Sequence, residues 1–393
     1  MGLALCLILL AVLVSCRFPG AVRPAVKIGL VAPFEGRYRY VGYDVIYAVR
    51  LALREANAAG GVGIPPVEGG QSGLPPWRGG RGGWGYSVEL VAYDDGADPT
   101  MAAEQARKLA ADPEVVAAIG HFREETTSAA LSAYAEAGIS LVAPAVLDRA
   151  LPWGGAEVWR LGPADGTLAH ALLCHVNKRD HVIALVSDGG PLGAALVEAA
   201  TQQRMRIPVV ASPDSADWLG EVLASSADVV ICDASPVMAG EVASALRAAG
   251  WEGVFLGGPE LAAPDFVAVA GEAAEEAFFV TPWPFPVDIP GSADFLAAYQ
   301  EVSGGVPPGP LALPAYEATW VLLEALERDI VAHGAPTRGG VAAALLATGR
   351  DGLLGHIIFD AGCNWGDAPL YWYRVGAGGV PVLVPGQTPA GGE

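Results

Sequence analysis

Val26-Lys27-Ile28-Gly29-Leu30-Val31, followed by an amphipathic run over 44–59 that stops at Gly60-Gly61, reads as a short buried strand and a glycine-terminated helix. The unit repeats. A second strand is expected over 86–93, after which Asp98-Pro99 supplies a cap and a first-turn proline for a helix running to about 111. Strand 115–119, helix 125–137 with its stop at Gly138, and strand 139–143 halted by Pro144 continue the pattern. Strands alternating with helices predict a parallel sheet covered on both faces.

Beyond Trp159 the cadence starts again: helix 164–178, strand 181–186, helix 191–205, strand 228–232 and helix 237–249, with Gly250 as its stop. Strand 254–256, helix 261–270 and strand 277–280 extend this second sheet. Three helices follow, over 292–302, 311–333 and 338–347, and then strand-like runs at 355–359, 370–375 and 380–384 that suggest a small antiparallel addition. The expected fold is α/β, with two Rossmann-like lobes; 393 residues suit two cores better than one.

Charge excludes one class of partner. The chain carries 43 acidic and 23 basic residues, a formal charge of −20, and no basic cluster. Binding to a phosphate backbone needs clustered Lys and Arg, so no nucleic acid is expected. The composition is that of a globular body with one exception, an unbroken apolar run over 3–14. It is too short to span a bilayer and has the length of a signal-peptide core. Its end, Leu13-Val14-Ser15-Cys16, resembles the bacterial lipobox, which implies cleavage before Cys16 and a lipid anchor on that thiol. Cys174, Cys232 and Cys363 are then left, without metal-site spacing, and are read as buried small residues; a disulfide among them stays open. The stretch 62–85 is dense in Gly and Pro and reads as a long surface loop, either partner-contacting or without a role.

Several short motifs, in order, resemble a known family. They are Lys27-Ile28-Gly29 with Ala32-Pro33, Asn57-Ala58-Ala59-Gly60-Gly61-Val62, Tyr93-Asp94-Asp95, Ile119-Gly120-His121, Gly138-Ile139-Ser140 with Ala143-Pro144, Gly258-Pro259-Glu260 and Phe359-Asp360. Together they resemble the class I periplasmic binding proteins of the branched-chain amino-acid type, the substrate-binding lipoproteins of ATP-driven importers. The resemblance implies two lobes joined by a three-segment hinge, with crossovers near 161–164, 281–283 and 351–355. It gives a signal peptide 1–16, a linker 17–25, lobe 1 from 26–161 plus 282–350, lobe 2 from 162–281 plus 351–385, and a tail 386–393. Ligand is expected in the cleft between lobes, which close on it as a hinge.

The same resemblance carries the expected site. Family members hold a ligand carboxylate with small hydroxyl residues at a helix N-terminus, where backbone N–H groups favour an anion. In this chain Glu124, Glu125 and Thr126 occupy that loop, and Val146 and Leu147 occupy the second contact segment. Glu260 matches the glutamate that pairs with a ligand ammonium, and as a helix-opening acid it has a structural reading too. Leu192 and Ser235 or Pro236 stand where the family has tyrosines. Asp188 and Asp233 each follow a strand end, in positions that serve equally for ligand contact or helix capping. Tyr40, with Tyr38 and Tyr43, follows the first strand and could stack on ligand. If Glu124, Asp188, Asp233 and Glu260 face the cleft together, the ligand is cationic or amide-like and lacks a free carboxylate.

An enzyme is not expected. No G-x-S-x-G, H-E-x-x-H or P-loop motif is present, the six histidines are scattered, and His170 and His175 are five apart, off the usual metal spacing. No cofactor or metal is expected. The predicted function is an extracytoplasmic solute-binding protein, a lipid-anchored monomer that captures an amino acid, amide or related amine and delivers it to permease subunits. The alternatives are a ligand-sensing subunit for a membrane signalling partner and a scaffold that no longer binds.

Overall fold

The computed structural model describes residues 24–63, 85–147, 157–176 and 181–385. The signal segment with Cys16, most of the 62–85 stretch and the 386–393 tail lie outside them.

The first sheet contains β1 (Ala25–Ala32), β2 (Ser87–Asp94), β3 (Val115–Ile119), β4 (Ser140–Ala143) and β5 (Val158–Arg160), in the order β2-β1-β3-β4-β5 with every pair parallel. The second repeats that order with β6 (Ile183–Ser187), β7 (Val209–Ala211), β8 (Val229–Asp233), β9 (Val254–Gly257) and β10 (Phe278–Thr281) as β7-β6-β8-β9-β10. Two later strands, β11 (Gly349–Gly352) and β12 (Gly355–Ile358), pair only with each other. Then β13 (Tyr371–Val375) and β14 (Pro381–Leu383) add antiparallel at the β10 edge.

Helices cover both faces of each sheet, so the central strands are apolar throughout; all five residues of β3 are buried. Helix α1 (Arg39–Ala58) packs on one face of the first sheet, and α2 (Pro99–Ala111) and α3 (Glu124–Ala137) on the other. In the second lobe α4 (Asp165–Val176) and α5 (Pro191–Gln202) oppose α6 (Trp218–Ala224), α7 (Pro236–Ala248) and α8 (Pro264–Ala270). The chain then returns, and α9 (Ala293–Ser303), α10 (Ala312–His333) and α11 (Arg338–Leu346) join α1 in the first core. Trp283, between β10 and α9, packs against the cores of both lobes.

Several expectations need correction. Helix α1 begins at Arg39 instead of 44, because Asp44 serves a tertiary contact and not a cap. Its carboxylate accepts the backbone N–H groups of Gly309 at 2.7 Å and Leu311 at 2.9 Å, together with the Tyr299 hydroxyl at 3.3 Å. Burial pushes the Asp44 carboxyl up to about 6, while the two N–H donors pull it down. The helix expected over 261–270 is broken ahead of Pro264 into a 3-10 turn, Pro259–Ala262, and α8. The short elements β5, β7 and α6 had no periodic signal long enough to read.

The third crossover also moves. Residues 351–355 belong to the β11–β12 hairpin, which stays on the first lobe: Arg350 pairs with buried Glu317 at 2.8 Å and with Glu324 at 2.6 Å, and Glu317 accepts the Leu353 N–H at 2.7 Å. Phe359, Trp365 and Ala368 pack in the first core and Leu370 in the second, so the chain crosses between 368 and 370. Of the three cysteines read as buried, only Cys232 is; Cys174 is exposed, Cys363 is half-buried, and all three are free thiols.

One side chain gathers the loose ends of the first lobe. Arg338, which opens α11, donates to the carbonyls of Ala110 in the last turn of α2 and Asp112 just past it, of Ala137 at the end of α3, and of Val115 in β3, at 2.8 to 3.2 Å. Helix C-termini present carbonyls without intrahelical donors and carry partial negative charge, so a guanidinium there is doubly favoured. Arg338→Ala is expected to cost about 2 kcal/mol of stability and Arg338→Lys about half that, read from denaturant midpoints. An unchanged midpoint in the alanine variant would contradict this role.

Candidate functional site

In both sheets the strand order reverses between the first and third strands of the lobe. Loops leaving the carboxyl ends of those two strands diverge to opposite faces and open a crevice between them. In the first lobe, the loop after β1 leads into α1 with Tyr38 and Tyr40, and the loop after β3 carries Phe122 and Arg123 into α3. In the second, the loop after β6 brings Asp188, that after β8 brings Asp233 and Ser235, and the turn after β9 brings Glu260. The two crevices face each other across one cavity of about 480 Å³, within the range that holds small-molecule ligands.

The loop after β3 is held from below. Gly120 has φ +126°, and a Cβ there would come within 2.2 Å of the Val31 carbonyl oxygen, so the chain can pass only as glycine. The next residue, His121, is fully buried with Nδ1 2.7 Å from Asp95 and Nε2 3.2 Å from the Tyr134 hydroxyl. That network points Phe122 and Arg123 into the cavity.

Of the residues expected at the site, Tyr40, Glu124, Glu125, Leu147, Asp188, Leu192, Ser235 and Glu260 line the cavity. Thr126 and Val146 do not. The Thr126 hydroxyl donates back to the Arg123 carbonyl at 3.1 Å, and Val146 is fully buried in the core beneath β4. Sequence reading missed Arg123, which directly precedes the acids Glu124 and Glu125 and was overshadowed by them. It also missed the apolar wall of Trp283 and Phe285, which a linear pattern cannot assign because both lie in a crossover.

Charge is lopsided here. Among the described residues the lining holds seven carboxylates and a single guanidinium, that of Arg123. Three of the carboxylates serve the fold. Asp44 is clamped as above; Asp233 accepts from the Ser187 hydroxyl at 3.0 Å and the Gly193 N–H at 2.7 Å, and Asp188 from the Ser235 N–H at 3.2 Å. Glu260 differs. It is open to the cavity, caps neither the 3-10 turn nor α8, and has no hydrogen-bond donor among the described residues. Its side chain is exposed to the solvent that fills the open cavity, yet the protein mass around it costs the carboxylate part of its hydration and pushes its carboxyl up to about 7. Arg123 pulls it down, and Glu124 and Asp233 push it further up. Burial, then the charge of Glu260, raises the nearby Tyr40 hydroxyl so that it stays protonated.

The family model described as periplasmic binding protein matches residues 25–379. The chain belongs to the periplasmic binding protein family. Family membership implies an extracytoplasmic location, and the relatives of this periplasmic binding protein are solute-binding proteins, not enzymes. It is 24% identical over 350 residues to the Leu/Ile/Val-binding protein homolog 2 of Brucella abortus (strain 2308), covering 86% of each chain. Its fold matches, at TM-score 0.74 and 20% identity, the branched-chain amino acid transporter substrate binding protein LivJ from Streptococcus pneumoniae in complex with isoleucine, over 92% of this chain and 99% of that one. It also matches the solute binding protein of an ABC transporter from R. palustris in complex with benzoate, at TM-score 0.71 and 20% identity, over 92% and 95%. The fold thus accommodates more than one kind of solute. Among the described residues no helix is long and apolar enough to cross a membrane, and no cluster of His, Cys, Asp and Glu could hold a metal.

One ion pair spans the rim. Arg37, just before Tyr38 in the first lobe, lies 3.3 Å from Asp265 in α8 of the second, both partly exposed. An exposed pair contributes at most about 1 kcal/mol, which is about fivefold in an open–closed equilibrium. Asp265→Asn is expected to shift the binding protein toward the open form and enlarge its radius of gyration by X-ray scattering. Wild type in about 1 M salt, where charges are screened beyond ~3 Å, should behave alike. Identical scattering from all three samples would show that the pair carries no load.

Proposed function

We propose that this periplasmic binding protein is the extracytoplasmic receptor of an ATP-driven importer and captures a small polar solute, an amino acid, amide or amine, between its lobes. The observation that carries the reading is Glu260: a carboxylate without a donor among the described residues, set opposite Arg123 in a cavity whose walls come from both lobes. A ligand that touches both walls favours the closed form by its differential affinity for that form, and closure is the shape a permease reads. Tyr40, Glu124, Glu125, Leu147, Asp188, Leu192 and Ser235 complete the proposed contact set. Lipid anchoring at Cys16 and delivery to permease subunits belong to the same proposal, supported by family membership and by the named function of the relatives.

A thermal-shift screen of the chain from Arg17 onward against amino acids, amides, amines, polyamines and nucleosides tests it. A ligand at a hundredfold excess over its Kd stabilises the folded state by about 2.7 kcal/mol, which moves the melting point by several degrees. Glu260→Ala is expected to abolish the shift while leaving the melting point without ligand nearly unchanged. A well-folded protein that shifts with no solute at high concentration contradicts the receptor reading.

A further inference from the structure

The cavity has two devices that attract an anion, and the chain has filled both. The first is the N-terminus of α3, where backbone N–H groups and the helix dipole favour negative charge. Glu124 is its first residue, and its carboxylate takes the Leu147 N–H from the loop after β4 at 3.4 Å. The hydroxyls of this first turn are turned away, since Thr126 and Thr127 both donate to the Arg123 carbonyl, at 3.1 and 2.7 Å. The second device is Arg123. Its guanidinium lies 4.3 Å from the centre of the Tyr38 ring and 3.4 Å from the carboxylate of Glu125.

We infer that the solute brings an ammonium or amide N–H group to Glu260 and carries no free carboxylate. This rests on the receptor reading above and narrows it. A ligand carboxylate beside α3 would meet Glu124 and Glu125 where it needs donors, and among the described lining residues would be the eighth carboxylate against one guanidinium. An ammonium meets the opposite situation. Glu260 offers an acceptor without a competing donor among the described residues, and Tyr40 beside it offers an aromatic face. The rest of the molecule faces apolar side chains, Leu147, Leu168, Leu192, Trp283 and Phe285, so an aliphatic or aromatic body is accepted.

Calorimetry with two matched series tests this near neutral pH: leucine, leucinamide and 3-methylbutylamine, then phenylalanine, phenylalaninamide and phenethylamine. In at least one series the amide and the amine are expected to bind about tenfold or more tighter than the acid. Glu124→Ser is expected to narrow that ratio by restoring a hydroxyl in place of a carboxylate, and Glu260→Gln to weaken amine and amide together. A free amino acid that binds as tightly as its amide, or a ratio unmoved by Glu124→Ser, overturns the inference and leaves the receptor reading standing. Failure of the folded protein to bind any member of either series also overturns it. The receptor reading falls only if the wider screen is silent as well.

Discussion

Two parallel sheets meeting by the carboxyl ends of their strands constrain everything else in this molecule. A parallel strand ends where the following helix begins, so each sheet delivers loops and helix N-termini to one edge, and the reversal of strand order opens a gap there. Setting two such edges face to face makes a cavity that is polar at its ends and backed by two cores. The three crossovers follow from the same arrangement, because a chain that leaves the first sheet after β5 must return to bury the exposed face of α1. It does so with α9, α10 and α11.

Within that frame the division of labour among the acids is plain. Asp44 and Glu317 accept backbone N–H groups that would otherwise lack partners, and they tie late segments of the chain to early ones. Asp233 fixes the start of α5. Such carboxylates stabilise the fold through their donors, since a buried acceptor without partners is costly. Glu260 has none of these duties among the described residues; it stands exposed in the cavity with its carboxyl pushed up by the protein around it, which a charged partner from the solute would offset.

Much of this was legible in the sequence because the signals were local and repeated. Alternating strands and helices with Gly60-Gly61, Gly138 and Gly250 as stops gave two parallel sheets, and short motifs pointed to the family. The placement of Glu260 after β9 followed from Gly258-Pro259-Glu260. What escaped depended on contacts between distant segments. The start of α1 was hidden because Asp44 looks like a cap until Gly309 and Leu311 are seen to donate to it. The β11–β12 hairpin was given to the wrong lobe because its attachment runs through Arg350 and Glu317, far apart in sequence. Thr126 looked like a ligand contact by type and position, yet a helix rotates it inward toward the Arg123 carbonyl.

Everything proposed for the cavity turns on Glu260, an ionisable group that has no donor and faces a single guanidinium among the described residues, in a cavity walled by both lobes. The direct test is a carbon-13 NMR titration of the glutamate side chains, with Glu260 assigned by its absence in Glu260→Gln. The account predicts a midpoint near 7 in the unliganded protein, falling when Glu124 is replaced by Gln. A rise is expected when Arg123 is replaced by Gln, because the attractive charge that lowers the Glu260 midpoint is then gone. A midpoint in the ordinary carboxylate range near 4.3, insensitive to both substitutions, would mean that neither the cavity walls nor Arg123 act on Glu260, and would contradict its role as the group that receives the solute.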